Sequence, residues 1–301
     1  MAQATITQGT ADSVGTTQVS RSGGVWRALR RSPAGLIGII ILVVMMLIAL
    51  IGPLFTPALV TDTNSIMMPA GTPGHLLGTD NEGKDVLIQM IDGGASVIFI
   101  GFLAGVVSML ISIILGSLAA YLGGALNSTV LFACDVFLTV PAIVLLAVLG
   151  ALVKLDSPIL LALIIGVISW PVMTLAIRSQ VLSLREREFI EAARLLDLGT
   201  RRIVFAEILP NMGSYILMNF VIGVTNAIYA LVGLYVLGLA PLTGSNWGIM
   251  LNRALISGAI FSDAGLAFVL SPVVAIVLLM VALVMTTRSL EEILNPRLRN
   301  G

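Results

Sequence analysis

The chain has 301 residues, 57% of them hydrophobic and 11% charged, with a formal net charge of zero and a mean hydropathy of +1.05. Soluble domains carry roughly 25% charged residues, so that class is excluded. A single cysteine, Cys134, and a single histidine, His75, exclude an internal disulfide, a thiolate metal cluster and any chemistry that needs two histidines or two cysteines.

Residues 1–24 are rich in Thr, Gln, Ser, Gly and Ala and too poor in apolar side chains to fold, which reads as a disordered tail ahead of a membrane domain over 25–301. The first apolar run follows Pro33 and is too long for the core of a signal peptide, so it reads as a retained span. Long stretches hold no Asp, Glu, Lys or Arg: Ser32–Thr61, Gly93–Cys134, Ser157–Ile177, Ile208–Asn252 and Ala264–Thr287. A spanning helix needs about 20 apolar residues. The pattern predicts an all-α, polytopic membrane protein with six transmembrane helices at about 35–55, 96–121, 130–152, 158–179, 213–237 and 265–287. With the N-terminus inside, 13 of the 16 basic residues fall on inner segments, which predicts both termini in the cytoplasm.

The loop after the first span contains HLLGTDNEGKDV. Gly78, Gly83 and Lys84 have the spacing of a phosphate-binding loop, but Asp85 stands where a hydroxyl should meet magnesium, and Asp80 and Glu82 would repel phosphate. A calcium loop wants more oxygen ligands than this spacing supplies. A surface turn or a partner-docking loop remains, with Gly78, Thr79, Asp80 and Asp85 as its marked residues. Without an ATP site here, energy for pumping must come from another chain or an ion gradient.

Charge inside the spans is sparse. Asp135, about 8 Å into the third span at 1.5 Å per residue, and Arg178, at the inner end of the fourth, form a possible structural ion pair. The span centres lack the acid that an ion-coupled carrier uses. Gly101 and Gly105 permit close helix approach, within the chain or at a subunit interface. Pro141, Pro171 and Pro272 mark kinks.

Residues 184–211 form a polar segment between the fourth and fifth spans, far longer than the usual helix connection of about 2–8 residues. Arg185–Leu196 reads as one helix with Phe189, Ala193 and Leu196 on a shared face; Gly199 breaks it, Thr200 caps a second helix and Pro210 ends that. Ala192 and Ala193 leave a low spot beside Glu191, suited to insertion into a groove on another protein; a solvated connector is the plainer reading.

Glu191, Ala192, Ala193, Leu209 and Pro210 resemble the EAA loop of ABC-importer permeases, whose pattern is Glu-Ala-Ala, three residues, Gly, then a distant Ile-x-Leu-Pro. The pattern's glycine falls on Asp197 and its isoleucine on Glu207. HLLGTDNEGKD, WPVMTLAIRSQVLSLREREFIEAA, SNWGIML and NPRLR extend the likeness from Trp26 onward, toward the dipeptide/oligopeptide and nickel branch. Charges usual in that branch are replaced by Ala95, Phe132 and Leu175, and its acid is missing from ALVGLYVLGLA.

The resemblance implies a type I importer-like permease subunit of a prokaryotic cytoplasmic membrane, with no catalytic residue, metal or cofactor of its own. ATP and Mg would sit on two cytoplasmic ATPase subunits, docked through Glu191, Ala192, Ala193, Arg194, Gly199, Leu209 and Pro210. A related second permease would complete a heterodimer in the lipid bilayer, and no nucleic acid is involved. An extracytoplasmic binding protein would deliver peptides or similar small solutes, meeting the loop at Gly78, Thr79, Asp80 and Asp85. Candidates for the substrate path are Tyr235, Asn246, Trp247 and Gly248, together with pore-facing parts of spans three and five; an interfacial anchor is the other reading of Trp247. The rival classes are a stand-alone secondary transporter or channel and, among ABC systems, nickel-chelate or sugar uptake.

Overall fold

In hydrocarbon a backbone must satisfy its own N–H and C=O groups, which an unbroken helix does and a loop does not. The computed structural model describes residues 33–153, 155 and 157–294; the expected tail and six of the inner-side arginines, Arg21, Arg27, Arg30, Arg31, Arg297 and Arg299, lie outside them. Every regular element among the described residues is helical. The main helices are α1 (Pro33–Ile51), α2 (Val86–Leu122), α3 (Gly124–Thr139), α4 (Ala142–Leu152), α5 (Pro158–Leu184), α6 (Glu188–Leu195), α7 (Gly213–Val236), α8 (Trp247–Ile256) and α9 (Leu266–Leu294).

Helices α1, α2, α5, α7 and α9 are each long and apolar enough to cross a membrane. Helices α3 and α4 are long and apolar enough only as a pair, bent by 82° where they meet, so the described residues hold five spans, or six with that pair counted as one. Six spans were expected, and the helices differ from that expectation in three ways. First, α2 starts at Val86, ten residues before the expected 96, because the Asp85 side chain caps it by accepting from the N–H of Ile88. Second, the third span is not one rod. Pro141 brings no N–H and holds Val140 extended, at φ −94° and ψ 127°, so α3 stops there. Third, α5 continues through Arg178 to Leu184, carrying the fourth span directly into the polar segment.

Between helices in lipid there is little hydrophobic drive, so close van der Waals fit matters more. The sequence supplies it with small residues. Gly101 and Gly105 of α2 lie against Ile228 and Val224 of α7, and a Cβ at Gly105 would come within 2.6 Å of Val224. The glycine pair therefore serves packing within this chain. Along the α2–α5 contact, Gly116 meets the Thr174 carbonyl and Gly166 meets that of Ala104, each oxygen 2.8 Å from where a methyl on the glycine would stand. Ser112 of α2 also donates to the carbonyl of Trp170 on α5, 2.9 Å away. Helix α2 is thus the central post, with α5 and α7 on it and α1 paired with α9 alongside.

Candidate functional site

The polar segment folds as a helical hairpin at one end of the bundle. Its first arm, α6, begins at Glu188 rather than Arg185, since a turn at Leu184–Arg187 separates it from α5. This resets the helical phase. Ile190 and Ala193 are buried against Ile203, Ile208 and Met212 and the ends of α2 and α5. Phe189 and Leu196, expected to share Ala193's face, are 39% and 74% exposed. The outward surface of the hairpin carries Phe189, Ala192, Leu195 and Phe205, edged by Glu188, Glu191, Arg194, Arg201 and Arg202. Leu195 is 83% exposed within that charged frame.

The hairpin turn differs from expectation in an informative way. Gly199 has φ −59°, which any residue adopts, and acts as N-cap of the second arm in place of Thr200. The left-handed residue is Asp197, at φ 52°. Its N–H donates to the carbonyl of Arg194 at 2.9 Å, and the N–H of Leu198 donates to that of Ala193 at 3.2 Å. These two bonds are the helix-ending arrangement in which glycine usually takes the left-handed place. The left-handed place is thus taken by an aspartate, a residue type that tolerates this region better than most.

The second arm runs Thr200–Arg202, Ile203–Ile208 and Leu209–Asn211, with its middle part wound as a π-helix. Leu209 N–H donates to the carbonyl of Val204, five residues back. Pro210 lacks an N–H and its ring crowds the carbonyl four residues earlier; a wider turn relieves that clash. Pro210 therefore widens the arm and does not end it, the helix continuing to Asn211. The whole hairpin is tied to the central post. Arg185 Nη1 donates to the carbonyl of Ala120 in the last turn of α2, 2.8 Å away, where a cation also meets the helix dipole favourably. The Arg194 guanidinium lies 5.5 Å from the centre of the Tyr121 ring.

The expected Asp135–Arg178 ion pair is not formed. Arg178 Nε donates to Oδ1 of Asn127 at 2.6 Å, and Asp135 is exposed, with no cation within 4 Å among the described residues. The helix begins at Gly124, so Asp135 sits about 17 Å along it, roughly 12 Å beyond the residue that faces Arg178.

Tyr235, Asn246, Trp247 and Gly248 are buried and do not wall an open path through this chain. Asn246 caps α8, accepting from Gly248 N–H at 2.9 Å and donating to Ser96 at 3.1 Å. Trp247 Nε1 donates to the carbonyl of Met90 at 2.8 Å. Gly248 abuts Tyr235, with 2.8 Å between that side chain's Cβ and a would-be methyl. Together they seat α8 between α2 and α7. Trp247 also faces a cavity of about 520 Å³ between α1, α2 and α9. Its one hydroxyl, on Ser271, is bonded to the Ala267 carbonyl, leaving a polar solute nothing to hold.

In the 52–85 loop the four marked residues face inward. Gly78, at φ 76°, lies where a Cβ would strike the Met68 carbonyl. Thr79 donates to the Ser65 carbonyl. The buried Asp80 carboxylate accepts from Glu82 N–H, Lys84 N–H and Gln89 Nε2, each at 2.8 Å. Asp85 caps α2 and meets His75 Nδ1 at 2.9 Å. They frame the loop; its outward tip is Pro69–Leu76, where Leu76 is exposed. Glu82 pairs with Lys84 within the loop and fastens the loop to α8 through Arg253, at 3.3 Å. The hydrogen bond from Lys84 holds the Glu82 carboxyl below its ordinary range, against some desolvation and with help from Arg253.

A second cavity, about 290 Å³, opens where α3 breaks from α4 and is walled also by α5 and α7. Phe137, Pro141, Ser169, Met173, Asn219 and Asn226 line it. Sequence reasoning missed the two asparagines, although they lie seven residues apart on one face of an otherwise apolar span.

A bundle of apolar, membrane-length helices with a broken helix pair beside a polar cavity, bearing a polar hairpin at one end, has the make-up of a membrane transport subunit. Residues 112–300 match the family of binding-protein-dependent transport system inner membrane components, and residues 20–70 match the N-terminal TM domain of oligopeptide transport permease C. The chain belongs to the binding-protein-dependent transport permease family. It is 32% identical over 292 residues to the dipeptide transport system permease protein DppC of Alkalihalophilus pseudofirmus, covering 94% of this chain and 92% of that one. It is 31% identical over 240 residues to the oligopeptide transport system permease protein OppC of Mycobacterium tuberculosis, covering 79% and 81%. To OppC of Bacillus subtilis it is 32% identical over 231 residues, covering 75% and 74%.

Proposed function

We propose that this chain is one of two related permease subunits in an ATP-driven importer of peptides, in a prokaryotic cytoplasmic membrane. Both termini and the hairpin lie in the cytoplasm, in keeping with the distribution of basic residues. ATP and Mg are held by two partner ATPases, and an extracytoplasmic binding protein delivers the substrate to the face carrying the 52–85 loop. The peptide reading rests on the names of the relatives.

The observation that carries the ATP-driven reading is the hairpin. Its outer face, Phe189, Ala192 and Leu195, is apolar and exposed, while its inner face is packed on α2 and α5. A cleft on an ATPase accepts that outer face. When the ATPases close around ATP the hairpin moves with them, and α5 and α7, which continue from its two arms, turn and expose the path outward. Hydrolysis reverses the motion. Purification of the chain with its neighbours tests this: two ATPase subunits should accompany it at one per permease, and a chain that transports alone would overturn it.

A further inference from the structure

The break between α3 and α4 leaves backbone groups free. The last carbonyls of α3 have no helical N–H to accept from, since Val140 is extended and Pro141 has none. Beyond it the first bond of α4 is Val144 N–H to the Pro141 carbonyl, so the N–H groups of Ala142 and Ile143 are unspent. Such a break persists in a membrane only where it is covered by protein or lines a wet cavity. Here it lines the 290 Å³ cavity. Across from it, Asn219 is nine-tenths buried and spends its Nδ2 on the Tyr215 carbonyl at 2.9 Å, while its Oδ1 takes no hydrogen bond among the described residues. The amide of Asn226 and the hydroxyl of Ser169 also have no partner there among the described residues. No lining residue is charged.

We propose that this cavity is a weak recognition subsite for peptide backbone amides in the translocation path. Asn226 pairs both the N–H and the C=O of a peptide unit, and Asn219 Oδ1 accepts from a second N–H. The proposal rests on the peptide reading above and adds where, and through which groups, the substrate is felt. Uncharged amides suit a carrier of peptides with varied side chains, because they read the part all peptides share. Weak binding suits a path, since a tightly held substrate is not released.

The test uses the importer assembled with its partners in proteoliposomes. Trialanine carried per ATP hydrolysed should fall about 3- to 10-fold in Asn226→Leu, the loss expected for one or two neutral hydrogen bonds, and Asn226→Gln should recover part of it. A second measurement does not depend on substrate. In a Cys134→Ser background, Asn226→Cys should react with a charged, water-soluble thiosulfonate much faster than Val44→Cys on the exposed face of α1. Equal labelling would mean that lipid or a partner helix covers the cavity, and would overturn the proposal. Fast labelling with unchanged trialanine transport in Asn226→Leu would overturn recognition while leaving the peptide reading intact. No trialanine uptake by the unsubstituted importer would overturn the peptide reading and the proposed ligand together.

Discussion

The N–H of Leu198 reaches back 3.2 Å to the carbonyl of Ala193 and closes α6 over a left-handed Asp197. A non-glycine residue in that conformation carries a cost of roughly 1 kcal/mol. Asp197→Gly should therefore leave the hairpin intact and raise stability by about 0.5 kcal/mol, while Asp197→Val should lower it by about 1 kcal/mol or more. Gly199→Ala should be near neutral, as its φ is ordinary and nothing lies within 4 Å of the new methyl. Thermal unfolding of the detergent-purified protein reads all three, and a Gly199→Ala loss as large as that of Asp197→Val would contradict this account of the turn.

Arg185 is the strongest tie between the hairpin and α2. Arg185→Met keeps much of the stem and removes the bond to the Ala120 carbonyl, at a cost of about 1 kcal/mol. Hydrogen exchange over residues 188–198 should speed up severalfold, with the centre of α2 unaffected. Unchanged exchange would show that Ile190 alone anchors the arm.

Leu195 points away from its own chain, so changing it should not disturb folding. Leu195→Glu should give normal membrane insertion and normal hydrogen exchange, yet lose most ATPase association. Glu191→Trp should separate ATP hydrolysis from uptake in the same way. Full transport in both variants would remove the hairpin from the docking interface.

Glu82 sets a pH dependence. Its carboxyl is held below the ordinary range by Lys84, so its grip on the loop is complete above the unfolded value of about 4.3 and is lost as pH falls through the lower folded value. A spin label on Leu76 should show constant mobility from pH 7 to 5 and loosening only in stronger acid. Glu82→Gln should abolish the acid step, and loosening already at pH 6 would assign it to another group.

Trp247 links α8 to α2 through one hydrogen bond and a large buried ring. Trp247→Phe should cost about 1 kcal/mol, from the orphaned Met90 carbonyl and the smaller ring. Gly105→Val should be worse, because the α2–α7 contact has no room to give. If Trp247→Phe instead changed substrate preference with stability intact, the residue would belong to the path after all.

Legibility in the sequence followed the range of the forces involved. The all-helical, multi-span class is legible because bilayer thickness imposes a length on apolar runs, and Glu191-Ala192-Ala193 stands out as polar helix in an apolar chain. The phase of α6 is not, since burial of Ile190 and Ala193 depends on a turn at Leu184–Arg187 that no periodicity announces. Asp135 and Arg178 were matched by charge, but Asn127 was closer once α3 was known to start at Gly124. Gly199 reads as the hinge because sequence locates a glycine and not a left-handed φ, which falls on Asp197. Trp247 stands open in the sequence between a path residue and an interfacial anchor, and no sequence pattern announces the bond of its indole to the Met90 carbonyl. Asn219 and Asn226 gave too faint a signal among apolar neighbours to separate from packing.

Helix α2 is 37 residues long, about 55 Å against a hydrocarbon thickness of about 30 Å. Near its start it is fixed to the Asp80 loop by Gln89 and to α8 by Met90; near its end it is fixed to the hairpin by Ala120 and Tyr121. Two surfaces on opposite ends of the molecule are therefore mounted on one rigid rod. Tilting that rod by about 5° displaces its far end by about 5 Å over this length. A tilt imposed at the hairpin would therefore be carried to the 52–85 loop by the helix itself, without a relay of side chains.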